Sequence, residues 1–511
     1  MRLFGKKPAV SLAAGAVFSL LAAFGWQMEH LGKSMPLQAL LAALLLWLPV
    51  SALLGLLFRL RLPAGEGKPF RTGRAFLLLL LCWTPSLLVH FPGSFAYDVP
   101  YQLEQFASGV WSTHHPLLHT LLLGLCVNLG RLLGKINLGA ALYSCVQMVL
   151  LAGCFSLACG SLSRQSSARA AKLACGCFAL YPLHMLMAVN ATKDTLFSGC
   201  FVLALALLRE WMTLGRLTVR RGLLLALSAV LSVLLRNNMV WALGAFVIVL
   251  LIARRVRPAA LLSLCLVLGV GCGQLLAGAL HATPGDMREM LSWPVQQLAR
   301  VSCMERDVLT DEEKKLIDDL MPEMVWKKYD PTVSDPVKFG FHTEKLKEDP
   351  VKYAGLCLSV LVKAPGCSLD AILALTHAFL YPYAHYGVSG RYLQTDIKEV
   401  TYTGWGEDCI TDESPVPALR EAISWRFGAD GAMKYPFIGW LFNMGLIIWL
   451  VLFAFFRSLS CGQKGEGLAA FLPVLLMGTF LLGPVMAGRY VYPFVCVLPV
   501  LLAHVSFENK K

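Results

Sequence analysis

The sequence predicts an all-α polytopic membrane protein, and three observations lead there. Of 511 residues, 57% are hydrophobic and only 15% charged, with a mean hydropathy of +0.61, far from the balance of a soluble domain. Apolar runs long enough to cross about 30 Å of hydrocarbon recur from end to end. Basic residues gather in short connectors between those runs, so the net charge of +13 reads as membrane topology and not as a nucleic-acid surface.

The runs fall near 9–27, 37–58, 75–92, 137–160, 172–189, 195–209, 222–236, 239–253, 258–280, 435–456, 468–486 and 489–505, which gives about twelve spans. The first follows Arg2, Lys6 and Lys7 as a secretory signal would. It is long for one and no small-x-small site ends it, so it is read as a retained helix. The connectors holding Arg59 to Arg74, Arg164 to Lys172, Arg209 to Arg221 and Arg254 to Arg257 all fall on one side, which the positive-inside rule makes cytoplasmic together with both termini. A multi-pass protein of a bacterial cell membrane is expected.

This parity divides the chain into an N-terminal transmembrane module (1–280), an exoplasmic helical and loop region (281–432) and C-terminal transmembrane helices (433–511). Within the first, 93–115 is an exoplasmic loop and 116–134 a surface or re-entrant helix; 366–384 likewise stays at the surface. In the polar region, Thr310-Asp311-Glu312-Glu313 fits a capping box that opens an amphipathic helix through Leu320. Asp330-Pro331 and Asp335-Pro336 mark turns, and a second amphipathic helix, about 349–363, suits the membrane surface. From 385 to 432 no period is clear, which suggests an ordered loop over a site. Cys303, Cys357, Cys367 and Cys409 lie in this region; on an oxidising side they allow three pairings, with free thiols an equal alternative.

The unusual polar groups converge on the exoplasmic face. Asp98 follows the third span closely, where a partly sheltered carboxylate can act as a general base on a hydroxyl or help to hold a divalent cation. It can equally open a helix ahead of Val99-Pro100. His114-His115-Pro116 begins the next apolar helix, with His119 one turn after His115. Two imidazoles at that spacing share a helical face and form half a metal site, but no zinc signature accompanies them. His115 is read as a substrate contact and His119 as a structural hydrogen-bonder. Lys193-Asp194, Arg236-Asn237-Asn238 and Arg489-Tyr490 lie at the same membrane edge, where charge costs several kcal/mol unless paired. Snorkelling to headgroups is the bland explanation; three cation sites on one face favour an anionic ligand such as phosphate. Arg300 is a candidate fourth. Gly269-Val270-Gly271-Cys272-Gly273 sits inside a span and reads as helix packing, and Asn190-Ala191-Thr192 is a sequon too near the membrane to be trusted. No Walker sequence, nucleophile elbow or Rossmann fingerprint occurs, which argues against an ATP-driven pump.

An exoplasmic Asp after a span, a His-Pro-Leu-Leu helix and a Lys-Asp turn together resemble the GT-C type membrane glycosyltransferases. The segments "FPGSFAYDVPYQLEQ", "HHPLLHTLLLG", "NATKDTLFS", "LLRNNMVWAL", "SWPVQQLARV", "YDPTVSDPVK" and "GPVMAGRYVYP" resemble a little-characterised bacterial family assigned to that superfamily. The resemblance implies a GT-C-like arrangement, a polyprenyl-phosphate sugar donor in the bilayer, and transfer to a glycan, lipid or protein acceptor on the outer face. It matches Asp98 to the loop acid of the superfamily and Lys193-Asp194 only in part to a second acidic position. The loop has one Asp where an acidic pair is usual, and the large region precedes the last three spans where it would normally follow them all. Metal dependence, on Mg²⁺ or Mn²⁺, is therefore left open, with Asp98 as the candidate ligand. In this scheme Arg236, Arg489 and Lys193 neutralise the leaving phosphate while Asp98 deprotonates the acceptor, and 366–384 with the helix before it borders a groove for the prenyl tail. A secondary transporter and a lipid-linked glycan polymerase or ligase are the alternatives.

Overall fold

A computed structural model describes residues 7–60, 69–95, 98–384, 405–406, 408–427, 437–460 and 464–503. It is an all-α molecule whose only strands among the described residues are two dipeptides. Six helices are long and apolar enough to cross a membrane, or eight if each of two bent helix pairs counts as one span. Shorter apolar helices occupy Leu117–Leu132, Met239–Ile252, Met444–Ser460, Gly465–Phe480 and Gly488–Leu502. In the run read at 435–456 a single helical turn, Ile438–Leu441, precedes helix Met444–Ser460, which the Asn443 side chain caps by accepting from Leu446 N at 2.7 Å.

Helix Lys193–Leu214 is the axis of the bundle. It is buried along nearly its whole length and packs against Ile136–Gln165, Val219–Leu235 and Gly488–Leu502. One continuous core joins these helices to the N-terminal hairpin, Pro8–Leu31 with Pro36–Leu57. Helix Ile136–Gln165, at 30 residues, is about 45 Å long and exceeds the hydrocarbon thickness. Leu117–Leu132 leans on its first half: His119 meets Tyr143, and Gly130 abuts Gly139 too closely for any side chain.

The region after 280 has a core of its own, built from Val295, Leu298, Ile317, Leu320, Trp326 and Val360. The expected capping box is present: Thr310 N donates to Glu313 at 2.8 Å, and Glu313 N to Thr310 Oγ1 at 3.3 Å. Burial works against charge on Glu313, but Lys363, Ser359 and Thr310 outweigh it and hold its carboxyl down at about 2. Helix Pro350–Lys363 also forms, capped by Asp349. It meets Pro365–Leu380 at a bend of 104°. Asp335-Pro336 starts a short helix, Asp335–Lys338, in place of a simple turn. Residues 385–404, where the covering loop was expected, lie outside the described residues; further on, Pro417–Phe427 is helical, which the aperiodic sequence did not signal. Cys303, Cys357, Cys367 and Cys409 are free thiols.

Candidate anion site at the Lys193 end

Two short backbone pairings bring the site together. Ser94 and Phe95 pair in parallel with Asn190 and Ala191, so the chain enters Asp98 and Lys193 from neighbouring strands. Gln147 fixes the second strand by donating to Ala188 O at 3.1 Å and Asn190 O at 2.9 Å. The first strand follows Gly93, whose φ of +143° and contact with Ser144 leave no room for a side chain. Thr192 caps helix Lys193–Leu214 through Asp194 N, and Asp98 opens helix Asp98–Ser108. The reading of Asp98 as a helix start thus holds, and the same carboxylate faces the charged cluster.

A chain of alternating charges follows. Lys193 Nζ lies 3.2 Å from Asp98 Oδ2, and Arg489 Nη1 lies 3.4 Å from the same oxygen. Arg489 Nε continues to Asp194 Oδ2 at 3.6 Å, and Asp194 pairs in turn with Arg236. All five side chains are buried or nearly so, with exposures of 15% for Lys193, 9% for Asp98, Arg489 and Arg236, and 0% for Asp194. Among the described residues the chain counts three cations and two carboxylates. Arg236 is further enclosed by Phe480, Tyr490 and Phe197, whose ring centroids lie 4.3, 4.8 and 5.7 Å from its Cζ. Its Nε donates to Asn238 Oδ1 at 3.1 Å.

His115 completes the cluster. Lys193 Nζ donates to His115 Nδ1 at 3.1 Å, which places the ring proton on Nε2. Burial first, then Lys193, pushes the imidazole down to about 3, so it is neutral at pH 7. Burial works against the Asp98 carboxylate, but the Lys193 and Arg489 cations outweigh it and hold the group well below the usual carboxylate range. An ion held so firmly is a weak base while both cations face it.

Beside His115 lies a cavity of about 330 Å³, walled by Val233, Leu234, Val240, Gly269 and Gly273 and edged by Asn237 and Gln274. Its walls are the helices Leu117–Leu132, Val219–Leu235, Met239–Ile252 and Val256–Ala279, not the 366–384 segment expected to border a groove. Of the predicted site residues, Asp98, His115, Lys193, Asp194, Arg236, Arg489 and Tyr490 come together. Asn237 is exposed at the cavity rim, and His114 is exposed against the His115 ring, 4.6 Å between centroids. Asp194, expected to touch substrate, is fully buried and links two arginines instead.

Arg300 corrects the sequence reading. It donates to Tyr329 Oη at 3.0 Å and Gly32 O at 3.2 Å and pairs with Asp370 at 3.4 Å, sharing no partner with the Asp98 chain. It fastens the region after 280 to the first helical hairpin, helped by Ser34 N, which donates to Asp370 at 2.7 Å. His119 takes its structural role, bonded to Gln102 at 2.6 Å and Tyr143 at 2.7 Å, and Tyr143 donates to Gln147 at 3.0 Å. That polar string beneath the site was not read from the sequence, where glutamine and tyrosine inside apolar helices give no periodic signal. Asn190 is buried in its strand, which removes the sequon.

The donor set does not fit a divalent cation. Among the described residues no three His, Cys, Asp or Glu side chains converge, and both site carboxylates already face cations. No curated protein and no solved structure matches the chain. The chain belongs to a family of unknown function (DUF6020), whose model matches residues 107–511, a stretch that holds every member of the charge cluster except Asp98.

Proposed function

We propose that this protein is a GT-C type membrane glycosyltransferase that moves a sugar from a polyprenyl-phosphate donor to an acceptor on the outer face of a bacterial membrane. The proposal includes about twelve spans with both termini cytoplasmic, which places the Lys193 end outside. The observation that supports it most is the buried Lys193–Asp98–Arg489–Asp194–Arg236 chain opening, through His115, onto a largely apolar cavity. Buried cations next to a hydrocarbon-lined space suit a lipid phosphate.

The chemistry follows from the same pairing. In the resting protein Lys193 and Arg489 quench Asp98. A lipid phosphate arriving through the cavity offers both cations a more highly charged partner, and as they turn to it Asp98 loses its compensation and becomes a stronger base. The acceptor hydroxyl then passes its proton to Asp98 as its oxygen attacks the anomeric carbon. The bond from that carbon to the phosphate oxygen breaks, and the electron pair leaves with the lipid phosphate, whose charge Lys193 and Arg489 hold. Neutral His115 contributes an Nε2–H donor at the cavity wall.

Transfer from a polyprenyl-phosphate sugar in proteoliposomes tests the reading. Asp98→Asn is expected to lower the rate about 10²- to 10⁴-fold with donor binding retained. A fully active Asn variant removes Asp98 from the mechanism, and uptake without transfer favours the transporter alternative.

A further inference from the structure

Arg489 and the aromatic cover of Arg236 flank a loop of irregular backbone. Residues 481–487 run between helices Phe471–Phe480 and Gly488–Leu502. The loop's two ends carry Phe480 and Tyr490, whose rings stack with centroids 5.7 Å apart and together cover the Arg236 guanidinium. Arg489 leaves the same end. Irregular backbone at a membrane edge is stable only where other protein satisfies its polar groups. Here the partner comes from the region after 280. Ser334 donates twice to the carbonyl of Pro484, from its backbone N at 2.9 Å and from Oγ at 3.0 Å, and Val333 forms an antiparallel bridge with Val485.

The turn that presents Ser334 is itself braced. Asp330 Oδ1 accepts from Thr332 N and Oγ1, both at 2.7 Å, and Gln296 Nε2 donates to Asp330 O at 2.8 Å. Ser334 and Gln296 are fully buried. Three segments distant in sequence, around Gln296, Asp330 to Ser334 and Pro484, thus end on the backbone that aims Arg489.

We infer that Ser334 is a positioning residue for the anion site, acting through Pro484 on Arg489 and on the aromatic enclosure of Arg236. The inference rests on reading that cluster as a phosphate site. Its consequence is that the region 281–432 is mechanically part of the site although its described residues supply none of the charges, so a ligand that shifts this region changes phosphate affinity and the reverse.

The test uses the full chain in nanodiscs and a short-chain isoprenyl monophosphate as probe. Ser334→Ala is expected to weaken binding about fivefold to tenfold, the size of one buried hydrogen bond. In an Arg489→Ala background the same change should add nothing, because its effect passes through that arginine. Ser359→Ala, which cuts the bond to Glu313 in the same region, should bind like the parent. Val333→Cys with Val485→Cys, oxidised to close the contact covalently, should restore what Ser334→Ala loses. If Ser334→Ala does not fold, Gln296→Leu releases the Asp330 carbonyl without touching Ser334 and carries the same expectation. Unchanged affinity in Ser334→Ala, or a full additional loss in the Arg489→Ala background, overturns the positioning role. Equal binding by the parent and Arg489→Ala refutes the anion site itself, and the positioning role falls with it.

Discussion

Helix Lys193–Leu214 carries a charge cluster at each end, separated by about 24 Å of helix between Asp194 and Glu210. At the far end Glu210 is bound by Arg164 at 2.7 Å, by Arg221 and by Ser161 at 2.6 Å, and Arg209 pairs with Glu466 at 3.3 Å. Among the described residues each cluster therefore has three cations and two carboxylates. The difference lies in how far water reaches the cations. Arg164 and Arg221 have side chains 38% and 29% exposed, so water screens them, and the dry Arg209 lies against Glu466. At the Lys193 end every cation is at most 15% exposed, and a cavity adjoins. Counting arginines does not distinguish a binding site from a structural clasp; dry cations beside a cavity do.

The sharpest way to break this comparison is to delete one carboxylate from each cluster. Asp194→Ala strands Arg236 in a dry setting, while Arg489 keeps Asp98, and is expected to cost about 3–5 kcal/mol of stability. Glu210→Ala lets Arg164 and Arg221 turn to water and should cost about 1–3 kcal/mol. Chemical unfolding in mixed micelles measures both, and equal losses would remove exposure as the deciding variable.

Proton linkage gives a smaller effect. His115 is lowered to about 3 in the folded protein against an ordinary value near 6.5. Between about pH 6.5 and 3 the unfolded chain binds the extra proton, so stability falls as pH drops through that window. His115→Gln should flatten the fall by about 1–3 kcal/mol between pH 7 and pH 4. Asp98 has the same sign in a more acidic window: its depressed carboxyl stabilises the fold above about pH 4, and that contribution is lost as the pH falls further, so its titration adds no slope near neutrality. An identical pH profile for the His115→Gln protein would contradict the burial assigned to that ring.

Smallest is Thr310→Ala, which removes a helix cap remote from both clusters. It should loosen the region after 280 by about 1 kcal/mol, seen by hydrogen exchange across Asp311–Leu320, while exchange at the two charged ends stays as in the parent.

How far the sequence anticipated this arrangement depended on the kind of signal. Asp98, Lys193, Arg236 and Arg489 were legible because a charge at the edge of an apolar run is costly and rare, and the alternation of basic connectors put all four on one face. The capping box at Thr310 was legible because it is local. Arg300 was misread because its position was visible and its partner was not: Asp370 lies 70 residues away. The role of Asp194 as a link between two arginines, the Gln102–His119–Tyr143–Gln147 string and the double bond of Ser334 to Pro484 depend on contacts across the fold, which no period or motif records.

The central claim is that the dry cations at the Lys193 end bind a lipid phosphate. Binding of a radiolabelled isoprenyl monophosphate to the full chain in nanodiscs, competed by the unlabelled phosphate and by the corresponding uncharged isoprenol, tests it most directly in the parent, Arg489→Ala and Arg209→Ala proteins. Competition by the phosphate alone is predicted, with affinity weakened by about 2–5 kcal/mol in Arg489→Ala and unchanged in Arg209→Ala. Equal competition by the alcohol, or equal losses in the two arginine variants, would contradict it.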